Sequence, residues 1–186
     1  MARKRRLYVA GTAAVLVLGL ASYGIAAGND DGPPKVPPST KFHADLNGLQ
    51  EVPAVSTPGF GTFDAELVDD ETLHFVFHYD GLEGGASLFA HVHFGARLTN
   101  GGVSYFLCGP AANAPVVCPP VTGTIEGDIT AANVVGPNGQ GIEPGSFAEI
   151  LRAMRAGDAY ANIHTTRWGG GEIRGQINDR NQRELE

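Results

Sequence analysis

At 186 residues the chain has room for one domain with a full hydrophobic core. Thirteen Lys and Arg stand against twenty Asp and Glu, a formal charge of −7. That balance argues against a phosphate-binding or nucleic-acid-binding surface, and it is compatible with solubility and with cations.

The N-terminus reads separately from the rest. Arg3, Lys4, Arg5 and Arg6 form a basic stretch before Leu7 to Leu20, apolar apart from Gly11, Thr12 and Gly19. Small residues dominate Ala21 to Gly28. Residues 1–27 are therefore read as a signal peptide, cut near Ala27, or as an N-terminal membrane anchor over 7–27, since roughly 20 apolar residues span a bilayer. Either way the protein is expected outside the cytoplasm, touching a membrane only through this segment if it stays uncut. Without its four basic residues the mature chain carries a formal charge of −11. Residues 28–40 are a Pro-rich linker, with Pro33, Pro34, Pro37 and Pro38 favouring extended backbone. The domain is set at 41–178, and 179–186 is a polar tail.

Inside the domain the signal has period two. In Leu73-His-Phe-Val-Phe-His-Tyr79 the large apolar residues share one face, while His74, Val76 and His78 share the other. Similar stretches are Phe42–Leu46, Thr62–Val68, Leu88–Phe94, Val103–Leu107, Gly123–Ile129, Ala159–Thr165 and Glu172–Ile177, mostly separated by Gly, Asp, Asn and Pro. About eight short strands predict an all-β fold, an antiparallel sandwich or barrel. One short amphipathic helix interrupts the pattern over Phe147 to Ala156. Ser146 and Glu149 are expected to form a capping box, with Gly157 as the C-terminal stop.

Cys108 and Cys118 bracket a short Pro-containing loop. In an exported chain they are expected to form a disulfide, because a two-cysteine metal site has tighter spacing.

The chemically pointed residues lie late in the chain. His91 and His93 alternate along one strand, so they share a face opposite Ala90 and Val92. Tyr160, Asn162 and His164 take the non-core face of a second strand, and Glu172, Arg174 and Gln176 that of a third. A hairpin through Trp168-Gly-Gly-Gly171 would set Asn162 opposite Arg174 and His164 opposite Glu172. A hairpin through 80–87 would set His74 opposite His93.

These residues carry a family resemblance. Leu46-Asn-Gly-Leu-Gln-Glu-Val-Pro53, Tyr79-Asp-Gly-Leu-Glu-Gly84, Ala90-His-Val-His93, Tyr160-Ala-Asn-Ile-His-Thr165 and Gly170-Gly-Glu-Ile-Arg-Gly-Gln176 resemble the motifs of the CHRD domain, over about Phe42 to Ile177. The resemblance implies an immunoglobulin-like or Greek-key barrel and no particular reaction. A weaker resemblance is to copper/zinc superoxide dismutase, through His91, His93, His164 and Arg174 in that order. The bridging histidine and zinc-site histidines of that family have no counterpart here.

Two functional readings follow. The first is a secreted or membrane-tethered, non-catalytic CHRD module that binds an extracellular or envelope ligand or acts structurally, without nucleic acid. The alternative is a copper- or zinc-binding protein with His91, His93 and His164 as ligands, surrounded by Asn162, Glu172 and Arg174. Imidazole suits both metals. Arg174 is expected to pair with Glu172 or Glu51, and Trp168 to cover a sheet edge. No Ser-His-Asp order, phosphate loop or paired-carboxylate signature is present.

Overall fold

A computed structural model describes residues 39–110, 112 and 114–178. The export segment 1–27, most of the linker, and the tail 179–186 lie outside the described residues. Among the described residues no helix is long and apolar enough to cross a membrane.

The alternating segments form eight strands: β1 (Lys41–Asn47), β2 (Phe60–Asp69), β3 (Thr72–Asp80), β4 (Ser87–Phe94), β5 (Gly102–Cys108), β6 (Gly123–Ile129), β7 (Ala159–Thr165) and β8 (Ile173–Gln176). All pairings are antiparallel, in the order β5-β4-β7-β8-β1-β2-β3-β6. The end strands β5 and β6 approach each other, so the sheet curls into a nearly closed barrel. Curling buries one face of every strand and hides most of the edge that an open sheet would expose.

The period-two pattern places the core. Leu73, Phe75, Phe77 and Tyr79 of β3 point inward beside Phe63 of β2 and Ile125 and Ile129 of β6. Phe63 and Phe75 stack with ring centroids 6.4 Å apart. Fully burying side chains of this size stabilises by about 1.5–3 kcal/mol each. The outer residues His74, Val76 and His78 stay partly exposed, as alternation predicts.

The helix α1 (Phe147–Ala156) forms at the expected residues. Phe147, Ile150, Leu151 and Met154 recur at helical spacing and are buried, and α1 packs against β7. Gly157 ends it with φ 78°, a left-handed conformation that glycine adopts without a Cβ penalty. The expected capping box does not form. The Ser146 side chain makes no cap bond, and Glu149 pairs with Arg152 one turn along the helix. A solvated i,i+3 partner competes successfully for that carboxylate.

Cys108 and Cys118 are joined in a disulfide with their Cα atoms 5.0 Å apart.

One expected neighbour pair is absent. β3 pairs β2 and β6, whereas β4 pairs β5 and β7. The segment 81–86 therefore crosses from one part of the sheet to another and does not close a hairpin. His74 faces Glu66 and Asp128, and His93 faces Tyr160 and Val103. Two adjacent half-buried strands with matched faces carry no signal that says whether they pair.

Candidate metal centre

The site is built on the β4–β7 pair. Its register sets Phe89 opposite His164, His91 opposite Asn162, and His93 opposite Tyr160. Directly opposed residues project to one side, so all six side chains stand together on the face away from the barrel core. The β7–β8 register adds Arg174 opposite Asn162, as the hairpin predicts. That ladder stops at Ile163 opposite Ile173, one residue before His164 and Glu172.

This face is not open to water. His91, His93 and His164 are 4%, 8% and 6% exposed, and Asn162, Glu172, Arg174 and Gln176 are buried as well. Four loop regions roof it. The 95–101 loop is tied down by Arg174 and Gln176, the 167–171 turn by His164, and segments near Thr57 and Gly84 by Glu172.

The three histidines converge. Ring centroids lie 4.4 Å apart for His91 and His93, 4.6 Å for His91 and His164, and 6.5 Å for His93 and His164. One nitrogen from each ring lies within 4.8 Å of the other two. Among the described residues this is the sole group of three or more His, Cys, Asp or Glu side chains with donor atoms so gathered.

Each ring is held through Nδ1. His93 Nδ1 lies 2.8 Å from the Gly101 carbonyl oxygen, and His164 Nδ1 lies 2.9 Å from that of Gly169. A carbonyl oxygen only accepts, so both rings carry their proton on Nδ1 and a lone pair on Nε2. His91 Nδ1 lies 3.1 Å from Asn162 Oδ1. The Asn162 amide hydrogens turn toward the Glu51 carboxyl, which fixes that orientation and gives His91 the same tautomer. Nε2 of His93 and Nε2 of His164 are buried without a partner. Buried polar atoms are nearly always satisfied, so two orphaned lone pairs in one cluster are a chemical signal.

Electrostatics keep the cluster neutral. Burial, then the adjacent His93 and His164, push the pKa of His91 down to about 2. Burial is also the chief cause for His93, lowered to about 4, and it lowers His164. Neutral imidazoles are the form that binds metal.

Aromatic side chains wall the cluster. Phe89 lies 5.2 Å from the His91 ring and 4.7 Å from that of His164, and Phe106 meets His91 edge-on at 5.3 Å. Tyr160 stacks on His93 with centroids 4.6 Å apart. Phe89 is legible in the sequence, since it lies two residues before His91 and shares its face. Phe106 depends on the β4–β5 pairing and is not.

The expected ion pair of Arg174 does not form. Arg174 is 1% exposed, its guanidinium carbon lies 3.4 Å from the Tyr160 ring centroid, and its Nη1 and Nη2 donate to the carbonyls of Thr99 and Ala96. Glu172 turns elsewhere. It accepts from Thr57 Oγ1, Thr165 Oγ1 and the backbone N–H groups of Glu83 and Gly84, all at 2.8–3.1 Å. Glu172 thus knits two loop regions to the end of β7. Glu51 is buried with Oε1 unpartnered. Burial raises its pKa to about 7 against the lowering effect of Arg174 and Asn162.

The remaining histidines lie apart. His43 bonds Asp64, His74 bonds Asp128, and His78 bonds Thr124, all on the partly exposed outer surface. Trp168 packs over Gly84, leaving no room for a Cβ there, and lies under Arg167. It covers the loop between β3 and β4, whereas the sequence suggests that it covers a sheet edge.

The architecture defines an all-β, disulfide-bearing barrel module with one accessory helix and a buried three-histidine cluster under its loops. A family model for the CHRD domain matches residues 42–177, and the chain belongs to that family. The match begins within β1 and ends just after β8, so it takes in all of the barrel but the first residue of β1. Comparison with curated proteins finds no match.

Proposed function

We propose that this protein is an exported CHRD domain that holds one copper or zinc ion on Nε2 of His91, His93 and His164. The observation that carries the reading is the gathering of three neutral imidazoles whose Nδ1 atoms are all engaged by fixed oxygens. Such outer partners set the tautomer and aim of metal-ligating histidines. Bound ligand nitrogens lie about 2.0–2.1 Å from the metal. The 4.8 Å span of the donor atoms requires the rings to draw inward slightly on loading. The basic-then-apolar N-terminus and the disulfide support export.

The reading as a non-catalytic binding or structural module rests on family membership alone. The orphaned Nε2 atoms favour the metal over it. Elemental analysis of untagged protein from the extracytoplasmic fraction is the test. One copper or zinc per chain is expected, lost in His164→Ala and retained in His43→Ala. Metal-free protein that also refuses both ions on reconstitution overturns the reading.

A further inference from the structure

Resting on that three-histidine reading, we infer that the site selects copper in its singly charged, cuprous state over Cu(II) and Zn(II). Charge is the first reason. The three donors are neutral, and no carboxylate joins them. Glu172 is spent on three donors of the surrounding loops and on Thr165 of β7, and Glu51 faces the Asn162 amide. A bound ion therefore keeps its full charge in a buried site. The cost of burying charge rises with its square, so a dication costs about four times as much as a monocation of equal size.

A buried positive charge behind the site reinforces this. The Arg174 guanidinium lies over the Tyr160 ring, which stacks on His93. One aromatic ring separates a buried cation from a ligand, and repulsion across that ring is about twice as large for a dication. Glu51 is close enough to offset part of it when ionised.

Coordination is the second reason. Zn(II) with three protein ligands completes a tetrahedron with water or substrate. Bound water needs acceptors for its hydrogens, and the rings of Phe89 and Phe106 beside His91 offer none. Cu(I), with a filled d shell, is satisfied by three nitrogens.

The test is an anaerobic titration of the exported protein, with chromophoric chelators competing for Cu(I), Cu(II) and Zn(II) in turn. One Cu(I) per chain is expected, held at least a hundredfold tighter than either dication. Against Cu(II), that preference places the bound Cu(II)/Cu(I) couple about 120 mV or more above the aquo couple. Arg174→Gln should narrow the preference about tenfold. Zn(II) or Cu(II) bound as tightly as Cu(I) by the unaltered protein overturns the selection and leaves the three-histidine site standing. Failure to take up any of the three ions overturns the site itself.

Discussion

His93 lies flat against Tyr160, with ring centroids 4.6 Å apart and planes 6° from parallel. The stack and the Nδ1 bond to Gly101 together set the plane and tautomer of the His93 ring. His91 is held by a longer relay, from the Glu51 carboxyl through the Asn162 amide to Nδ1.

Removing the middle of that relay tests it. Asn162→Ala leaves the His91 N–H and the Glu51 carboxyl without their shared partner. Metal affinity should fall about 10–100-fold, and the metal-free domain should lose about 1–3 kcal/mol of stability. Chelator competition and urea unfolding measure the two effects. His43→Ala, on the outer surface, should alter metal affinity by less than about twofold.

The metal-free protein should be acid-sensitive. The folded pKa values of His91, His93 and His164 lie below the ordinary 6.5. Below pH 6.5 the unfolded chain takes up protons that the folded chain refuses, so stability is lost as pH falls from 6.5 through the folded values. Glu51, raised to about 7 from 4.5, acts oppositely, losing stability as pH rises through that interval. Three histidines outweigh one carboxyl. Melting of metal-free protein should fall by about 5 °C or more between pH 7 and pH 5. A flat profile would contradict the buried, neutral cluster.

The Trp168-Gly169-Gly170-Gly171 turn has one strict position. Gly171 has φ 123°, and a Cβ there would sit 2.1 Å from Glu51 Oε1. Gly169 and Gly170 meet nothing within 4 Å. Gly171→Ala should cost about 2 kcal/mol or more, while Gly169→Ala should stay within about 0.5 kcal/mol of the parent. Thermal melts of the two single variants make the comparison.

The disulfide closes a short loop between cysteines ten residues apart in sequence. Replacing both by serine should cost about 3 kcal/mol in the loop-entropy model, read as a lower urea midpoint. Alkylation of the intact protein without reductant should add no mass.

Period-two alternation made much of this arrangement legible. It placed His91, His93, Asn162, His164 and Arg174 on one side, because side-chain direction on a strand is a local property. The Trp168 turn was short enough to imply the Asn162–Arg174 register. Roofing was not legible: loops that cover a sheet face are positioned by partners far along the chain, such as Arg174 on Thr99 and Glu172 on Thr57. That distance also explains Arg174. Its polar neighbours in sequence suggested a carboxylate, whereas its actual acceptors are carbonyls some seventy-five residues away. The β3–β4 pairing failed because an eight-residue gap looks alike whether it turns back or crosses over.

The position of β7 between β4 and β8 fixes when the histidine cluster comes into being. During synthesis, at about 5–20 residues per second, His164 follows His93 by several seconds. Until β7 emerges and slots beside β4, the chain holds only a lone His-x-His on a strand that has β5 on one side and no neighbour on the other. The complete trio is a property of the finished barrel: two nitrogens wait on β4, and the third arrives only with β7, when the site first closes.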